Sequence, residues 1–597
     1  MAVLRVLVRG ESALVSKIDL AKDGARDTFV KTLVQRLPGV DSTEVESQLL
    51  RLCDDRAAWL QSADEAAAEK GTDPTIADLL VEIAFDEAEL CHDKDQNAYA
   101  TIQVADHCET WPVRSRGFRL WLRRRLREEQ DRSAHSEAVS TAIEEIEAKA
   151  LFDEPEVEVY VRIAEHDGAI WLDLADEAWR TVRITASGWQ LVEDKPPVRF
   201  IRSRGMLPLP APEHGGKVDD LRQFLNVKDD SDFVLIVSWL LACLRSRGPF
   251  PVLNVNGVQG SAKTTVERFL RGLIDPNSAP LRSEPREPRD LVISAANSWI
   301  IGYDNLSRIS PWLSDALCRL STGGGFATRQ LYTDREEVIF ESQRPVLFNG
   351  ITELATRPDL LDRCLLITLT AIPEHHRKDE KALWKSFNAE RPRILGALLR
   401  AVAAGLAHEH TVKPGHLPRM ADFALWMCAC EPGLDWPSGT FMNAYTANRA
   451  SANDAAIEAS VVGTAIQAFM TDRESWQGTA ADLLGDLEEA VDDRTRHGKA
   501  WPKSPRKLSG DLRRVAPNLR ATGIDVDFKK SGKRLVFLGR RTDGADGMGE
   551  TQTTYGPGDK GLFDKDLQNA PDGMDGMDGV LHPFSEDGID ESDEVEL

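Results

Sequence analysis

Apolar positions follow two rhythms along this chain. From Phe29 to Leu37 and from Ile76 to Leu90 they recur every three to four residues, which predicts helices, and residues 1–90 read as a helical N-terminal region. From Ala98 the rhythm turns to short alternating stretches such as Tyr99–Val104. A helix over Arg116–Arg127 then carries Phe118, Leu122 and Leu126 on one face with arginines around them. Strands at Val157–Ile163, Ala169–Leu172, Thr181–Ile184 and Trp189–Val192 predict a small β-rich unit within a mixed α/β region, 91–215. Pro208–Gly216 reads as its exit linker.

The next segment, 216–375, alternates strand and helix. A helix over Phe233–Leu244 precedes the strand Pro251–Asn256, a glycine loop and the helix Val266–Ile274. The strand Trp299–Asp304, the helix Trp312–Leu320, a hairpin closing on Glu337–Phe340, a strand ending at Asn349, the helix Leu354–Arg363 and the strand Cys364–Leu369 follow. This pattern predicts a parallel sheet flanked by helices. Residues 376–454 read as a helical extension. In 455–541, helices at Ala455–Met470, from Thr479, and at Ser504–Leu519 lead to strands at Ile524–Phe528 and Arg534–Leu538. The Asp-Gly-Met repeats within 542–597 predict a disordered tail.

Composition bounds the function. The chain has 597 residues, enough for several domains, and no apolar run approaches the ~18–20 residues that span a bilayer. The N-terminus meets Arg5 and Glu11 too early for a secretory leader, so a cytoplasmic protein without membrane contact is expected. Eight cysteines are scattered without a disulfide pattern. Cys91-His92 and His107-Cys108 are neighbours whose side chains diverge on strands, so a hairpin is expected there in preference to zinc. Asp173 and Asp176 have the wrong spacing for a polymerising pair on one strand face.

The net charge of −24 hides an asymmetry. Residues 542–597 hold 16 Asp/Glu and 2 Lys, whereas residues 494–541 hold 15 Lys/Arg and 3 Asp. A basic module next to an acidic tail points to nucleic acid as a partner despite the acidic total.

The densest chemistry lies in Gly257-Val-Gln-Gly260-Ser261-Ala262-Lys263-Thr264-Thr265. A glycine loop between strand and helix turns backbone N–H groups toward phosphate. Gly257, Gly260, Ser261, Ala262, Lys263, Thr264 and Thr265 are therefore candidate ATP-binding residues, with Lys263 neutralising the β and γ phosphates and Thr264 holding Mg²⁺. Ala262 stands where such loops usually carry glycine. Asp304, at the end of the second apolar strand, is the second candidate Mg²⁺ holder.

Walker A loop, Walker B strand, the Gly323–Gly325 segment opening a hairpin with Arg329-x-x-Tyr332, and strand-terminal Asn349 come in an order that resembles the superfamily 3 helicases of the AAA+ class. It is similar to the helicase part of phage and mobile-element primase-helicases, over about 220–375. The resemblance implies an α/β P-loop ATPase core forming a ring, most simply a hexamer. Asn349 would orient the attacking water and Arg363 would reach a neighbouring subunit's nucleotide, with Arg357 as the alternative finger. Arg329 and Arg335 would face DNA in the channel. Two departures stand out: Asn305 occupies the place of a second acid, and the hairpin tip Asp334-Arg335-Glu336 is not basic. Three helices and a β-hairpin in 455–541 resemble a winged helix, with Arg506, Lys507, Arg513, Arg514, Lys529, Lys530 and Lys533 facing DNA.

The expectation is an ATP-dependent, ring-forming DNA helicase or translocase for replication of a phage, plasmid or integrated element. An ATP-regulated DNA-binding initiator without processive unwinding is the alternative, and a packaging motor a third.

Overall fold

The computed structural model describes residues 2–8, 11–18, 30–31, 74–324, 326–329, 337–340, 342–350, 357–376, 379–531, 533–541 and 595–596. It divides into two units, Met1–Thr75 with Gly547–Leu597, and Ile76–Asp546. In the first, β1 (Ala2–Val8) and β2 (Glu11–Ile18) pair antiparallel, and Val595–Glu596 pairs with β1 in parallel. This departs from the helical reading of residues 1–90. Val3, Val6 and Val8 are β-branched, which suits an extended chain. Of the tail expected to be disordered, only Val595 and Glu596 lie among the described residues.

The second unit begins with α1 (Ile76–Glu87), which ends where β3 (Ala88–His92) starts, earlier than the periodicity to Leu90 predicts. With β4 (Ala98–Val104) and β5 (His107–Pro112), β3 forms an antiparallel meander. α2 (Arg116–Gln130) and α3 (Ser136–Phe152) complete this layer. Phe118, Leu122 and Leu126 of α2 are fully buried with Leu80, Ala100, Ile143 and Ile146 in one core. The Cys91 thiol is buried, His92 bonds the Ala150 carbonyl and His107 bonds Glu109, so each group has its own surroundings. No metal-holding cluster occurs among the described residues.

A second meander follows, of β6 (Ile163–His166), β7 (Ala169–Asp173), β8 (Thr181–Thr185) and β9 (Gly188–Val192). It does not stand apart, as an exit linker after it would imply. Ile163, Leu172, Val182 and Ile184 share a core with α4 (Asp230–Cys243), β10 (Val252–Gly257) and the long helix α9 (Glu380–His408). The stretch read as a linker is packed: Glu213 donates its N–H to the Pro392 carbonyl. A Cβ on Gly396 would come within 1.9 Å of the Glu213 carbonyl, so only glycine admits this approach. The Arg162–Asp275 ion pair at 3.2 Å is fully buried and joins this meander to the end of helix α5 (Lys263–Ile274).

The central sheet has four parallel strands in the order β11 (Ile301–Leu306), β14 (Val346–Gly350), β10, β15 (Cys364–Leu369). The chain is thus mixed α/β with a parallel sheet. α5 and α4 cover it on one side; α6 (Pro288–Asn297), α7 (Pro311–Thr322) and α11 (Thr440–Glu458) contribute to a second core around Tyr303, Phe348 and Leu317. Near-continuous apolar strands follow from burial on both faces. The hairpin β12 (Phe326–Arg329) and β13 (Glu337–Phe340) pairs Arg329 with Glu337. The helix expected over Leu354–Arg363 is described only as the short α8, Pro358–Leu361. α10 (Ala421–Cys430) packs on α9.

The last module consists of α12 (Val461–Met470), β16 (Ser475–Thr479), α13 (Ala480–Ala490), α14 (Asp493–His497), α15 (Pro505–Ala521), β17 (Ile524–Ser531) and β18 (Lys533–Arg540). Its sheet order is β16-β18-β17. The helix read from Ala455 is broken: α11 ends at Glu458, and the Ser460 hydroxyl caps α12 by accepting from Gly463 N–H. Ser475–Thr479, too short a stretch to show alternation, makes the extra strand.

Candidate functional site

β10, β14 and β11 are neighbours, and their C-terminal ends bring Gly257, Asn349 and Asp304 to one side of the sheet. Gly257 takes φ +156, and a Cβ there would meet Ser261 Oγ at 2.5 Å and the Leu369 carbonyl at 2.9 Å. Gly260 takes φ +82. Ala262 caps α5 in the left-handed region, φ 60 and ψ 29, a conformation that costs an alanine roughly 1–2 kcal/mol. That cost is concentrated at the turn that opens the helix toward the loop. Ser261 is buried and its hydroxyl has no partner.

Lys263 folds its ammonium onto the loop, donating to the carbonyls of Gly257 at 2.7 Å and Val258 at 3.2 Å. Thr264 Oγ1 donates to Asp304 Oδ1 at 2.9 Å. Asn349 Nδ2 donates to the same oxygen at 2.8 Å, and Asn349 Oδ1 accepts from the Asn305 backbone N–H at 3.0 Å. Asn305 is left-handed, φ 53, which turns its N–H toward Asn349. Thr265 lies half-buried in the first turn of α5.

This donor set fits a triphosphate with Mg²⁺. The first N–H groups of α5 lack intrahelical acceptors, the buried Ser261 hydroxyl is unpartnered, and a hydroxyl and a carboxylate sit within hydrogen-bond distance, the hard oxygen pair that Mg²⁺ takes.

One residue of the cluster escaped the sequence reading. Glu267, one turn beyond Lys263, is fully buried, and its Oε2 accepts from Asn349 Nδ2. Its Oε1 has no partner. Burial pushes this carboxyl well above the ordinary carboxylate range, and the Asn349 hydrogen bond opposes the shift. The available signal was an acid beside the apolar stripe Val266, Leu270, Leu273 of an otherwise regular amphipathic helix.

Arg363 lies away from this cluster. β10 and β15 run parallel with Val252 opposite Cys364 and Gly257 opposite Leu369, and Val252 N–H donates to the Arg363 carbonyl. Arg363 is therefore at the N-terminal edge of the sheet, about 16 Å of strand from the loop. Its guanidinium donates to the Asp359 carbonyl at 2.7 Å. Arg357 is paired with Asp315 at 2.8 Å and donates to the Pro311 carbonyl. Asp362 is held by Arg419 and Arg449.

Of the hairpin residues, Arg329 is placed only by its backbone in β12, and Arg335 lies outside the described residues. α15 buries Leu508, Leu512, Val515 and Leu519 and exposes Arg506, Lys507, Arg513 and Arg514. Asp511 accepts from both Lys507 and Arg514, while Arg513 stacks over Phe528 at 4.4 Å. Lys529 lies over Phe537 at 5.0 Å. Lys530 and Lys533 stand on the two hairpin strands, and their side chains lie outside the description.

A strand, a glycine loop and a helix are thus joined to an acid and an asparagine on adjacent parallel strands. Residues 218–457 match the model of a family described as actinomycete integrative conjugative element replication protein, and residues 462–549 match that of the AICE RepA C-terminal domain. Over these two segments the chain is thus similar to the replication protein of a mobile element. No curated protein matches the chain. Among solved structures, the apo C-terminal region of NrS-1, A form, is 12% identical, covering 78% of this chain and 99% of that one, with a TM-score of 0.35. SCCmec type IV Cch, titled an active helicase, is 11% identical over 76% and 94%, with a TM-score of 0.39. Both likenesses are too distant to carry fold or function. No helix among the described residues is long and apolar enough to cross a membrane.

Proposed function

We propose that this protein is an ATP hydrolase of the superfamily 3, AAA+ type that works as a ring, most simply a hexamer, to translocate on or unwind DNA during replication of a mobile element. The observation that carries this reading is the Thr264–Asp304–Asn349 cluster, which joins the first turn of the loop helix to the ends of two neighbouring parallel strands. Its support is twofold: the strand order puts the Asn349 strand between the loop strand and the Asp304 strand, and the matched family is one of replication proteins.

In this reading Lys263 leaves the loop carbonyls for the β and γ phosphates, and Gly260, Ser261 and Ala262 offer backbone N–H groups. Thr264 and Asp304 would hold Mg²⁺, which would supply positive charge to offset that of the phosphates. Asn349 orients the attacking water. Arg363, at the far edge of its own sheet, is suited to a neighbour's nucleotide and not to its own. The hairpin with Arg329 and Arg335 faces DNA in the channel. The helix-strand-helix-helix-helix-hairpin order of 461–540 supports a winged helix that meets duplex or fork through Arg506, Lys507, Arg513, Arg514, Lys529, Lys530 and Lys533.

Asn305 favours a second reading, an ATP-regulated DNA-binding initiator. It replaces a second acid, and its backbone N–H is already committed to Asn349. A fork-unwinding assay with ATP separates the two. Strand displacement that Lys263→Ala abolishes is expected; ATP-dependent DNA binding without displacement would favour the initiator.

A further inference from the structure

We propose that Glu267 is a positioning residue for ATP hydrolysis, acting through Asn349: its buried carboxyl holds the Asn349 side-chain amide in one orientation. The inference rests on the hydrolase reading above and adds to it a residue that neither the loop nor the strand pattern marks.

The Asn349 side chain offers two N–H donors on Nδ2 and an acceptor in Oδ1. Nδ2 serves Asp304 and Glu267, and Oδ1 serves the Asn305 N–H. Turning the amide by 180° would set Oδ1 against the Asp304 carboxylate and Nδ2 against the Asn305 N–H, and the acceptor on Glu267 adds a second partner to the Nδ2 that this orientation places inside the cluster. Without Glu267, one donor of that amide loses its partner and the orientation rests on Asp304 and Asn305 alone. Asp304 is also the partner of Thr264, so it serves two donors at once.

A packing role alone explains Glu267 poorly. It is fully buried, and its second oxygen is unpartnered, which costs free energy that a leucine would not incur.

The test uses the full chain with ATP, Mg²⁺ and single-stranded DNA, measuring kcat, nucleotide affinity and Tm. Glu267→Ala is expected to lower kcat about ten- to a hundredfold, as loss of a partner that orients a site residue does, with nucleotide affinity within about twofold. Glu267→Gln, whose amide oxygen still accepts from Asn349, is expected to keep turnover. Glu267→Leu, which refills the space, is expected to raise Tm and lose turnover. In an Asn349→Ala background, Glu267→Ala is expected to add nothing. Full turnover in Glu267→Ala or Glu267→Leu overturns the proposal, as does an equal further loss in the Asn349→Ala background. Full turnover in Glu267→Ala beside an inactive Lys263→Ala refutes the positioning role alone; a wild-type chain that neither binds nor hydrolyses ATP refutes both readings.

Discussion

Thr264 donates its hydroxyl to Oδ1 of Asp304, the same oxygen that accepts from Asn349. One carboxylate oxygen thus ties the first turn of the loop helix to the ends of two strands. In the function proposed above, this threonine hydroxyl and this acid share a Mg²⁺ ion.

Thr264→Ser is therefore expected to keep Mg²⁺-dependent hydrolysis, and Thr264→Val to lose it about a hundredfold or more. Asp304→Asn puts an amide against two donors and should fall as far. Steady-state phosphate release across a Mg²⁺ titration measures both; hydrolysis by Thr264→Val at the wild-type rate would contradict the shared-cation role.

Among the described residues, the Arg363 side chain donates only to a backbone carbonyl of its own short helix, whereas Arg357 is neutralised by Asp315. Arg363→Ala is expected to abolish turnover while nucleotide affinity stays within about twofold, and Arg357→Ala to leave turnover nearly intact. Mixing Arg363→Ala with Lys263→Ala subunits should recover part of the activity, because some interfaces then pair an intact loop with an intact finger. An inactive mixture from subunits that do exchange speaks against action in trans.

In the C-terminal module, Asp511 offsets Lys507 and Arg514 and Asp527 pairs with Arg520, which leaves Arg506 and Arg513 as the exposed arginines of α15 without a carboxylate partner among the described residues. Arg506→Ala with Arg513→Ala should weaken DNA binding uniformly across sequences. It should also lower the slope of log affinity against log salt by about two if each meets one phosphate. Fluorescence anisotropy over a salt series measures this, and an unchanged slope removes α15 from the DNA-facing surface.

Asp232 is buried at the start of α4, where its Oδ2 accepts from Thr368 N–H at 3.1 Å. Burial raises its pKa to about 6 from an ordinary 3.8, against the pull of that N–H. The folded state therefore binds this proton more tightly than the unfolded state. Stability from this group is fully present below about pH 4, falls as pH rises through 6, and is level above. Asp232→Asn keeps an acceptor for Thr368 and should raise Tm at pH 7.5 by a few degrees, with the gain shrinking toward pH 4. Thermal melts at the two pH values test it; a gain of equal size at both would assign the effect to something other than titration.

Several features were legible because they are local. A strand, a glycine loop and a helix are consecutive, so Gly257–Thr265 announces its shape without distant partners. Burial on both faces writes continuous apolar runs, which marked β10, β11, β14 and β15. The basic face of α15 follows from helical spacing alone. At the N-terminus, β-branched residues outweighed the weak helical reading and made strands of Ala2–Val8 and Glu11–Ile18.

What remained hidden depends on residues far apart in sequence. Glu267 and Asn349 are 82 positions apart, and nothing local in either says that they meet. The Pro208–Gly216 stretch has a linker's composition, yet Gly396 in a distant helix opens the space that packs it down. Arg162 and Asp275, 113 positions apart, pair inside a core shared by regions that hydrophobic rhythm divides. Periodicity reports which face of an element leaves water. Which elements share that dry interior, and which polar groups must then satisfy one another there, is decided only when the whole chain is packed.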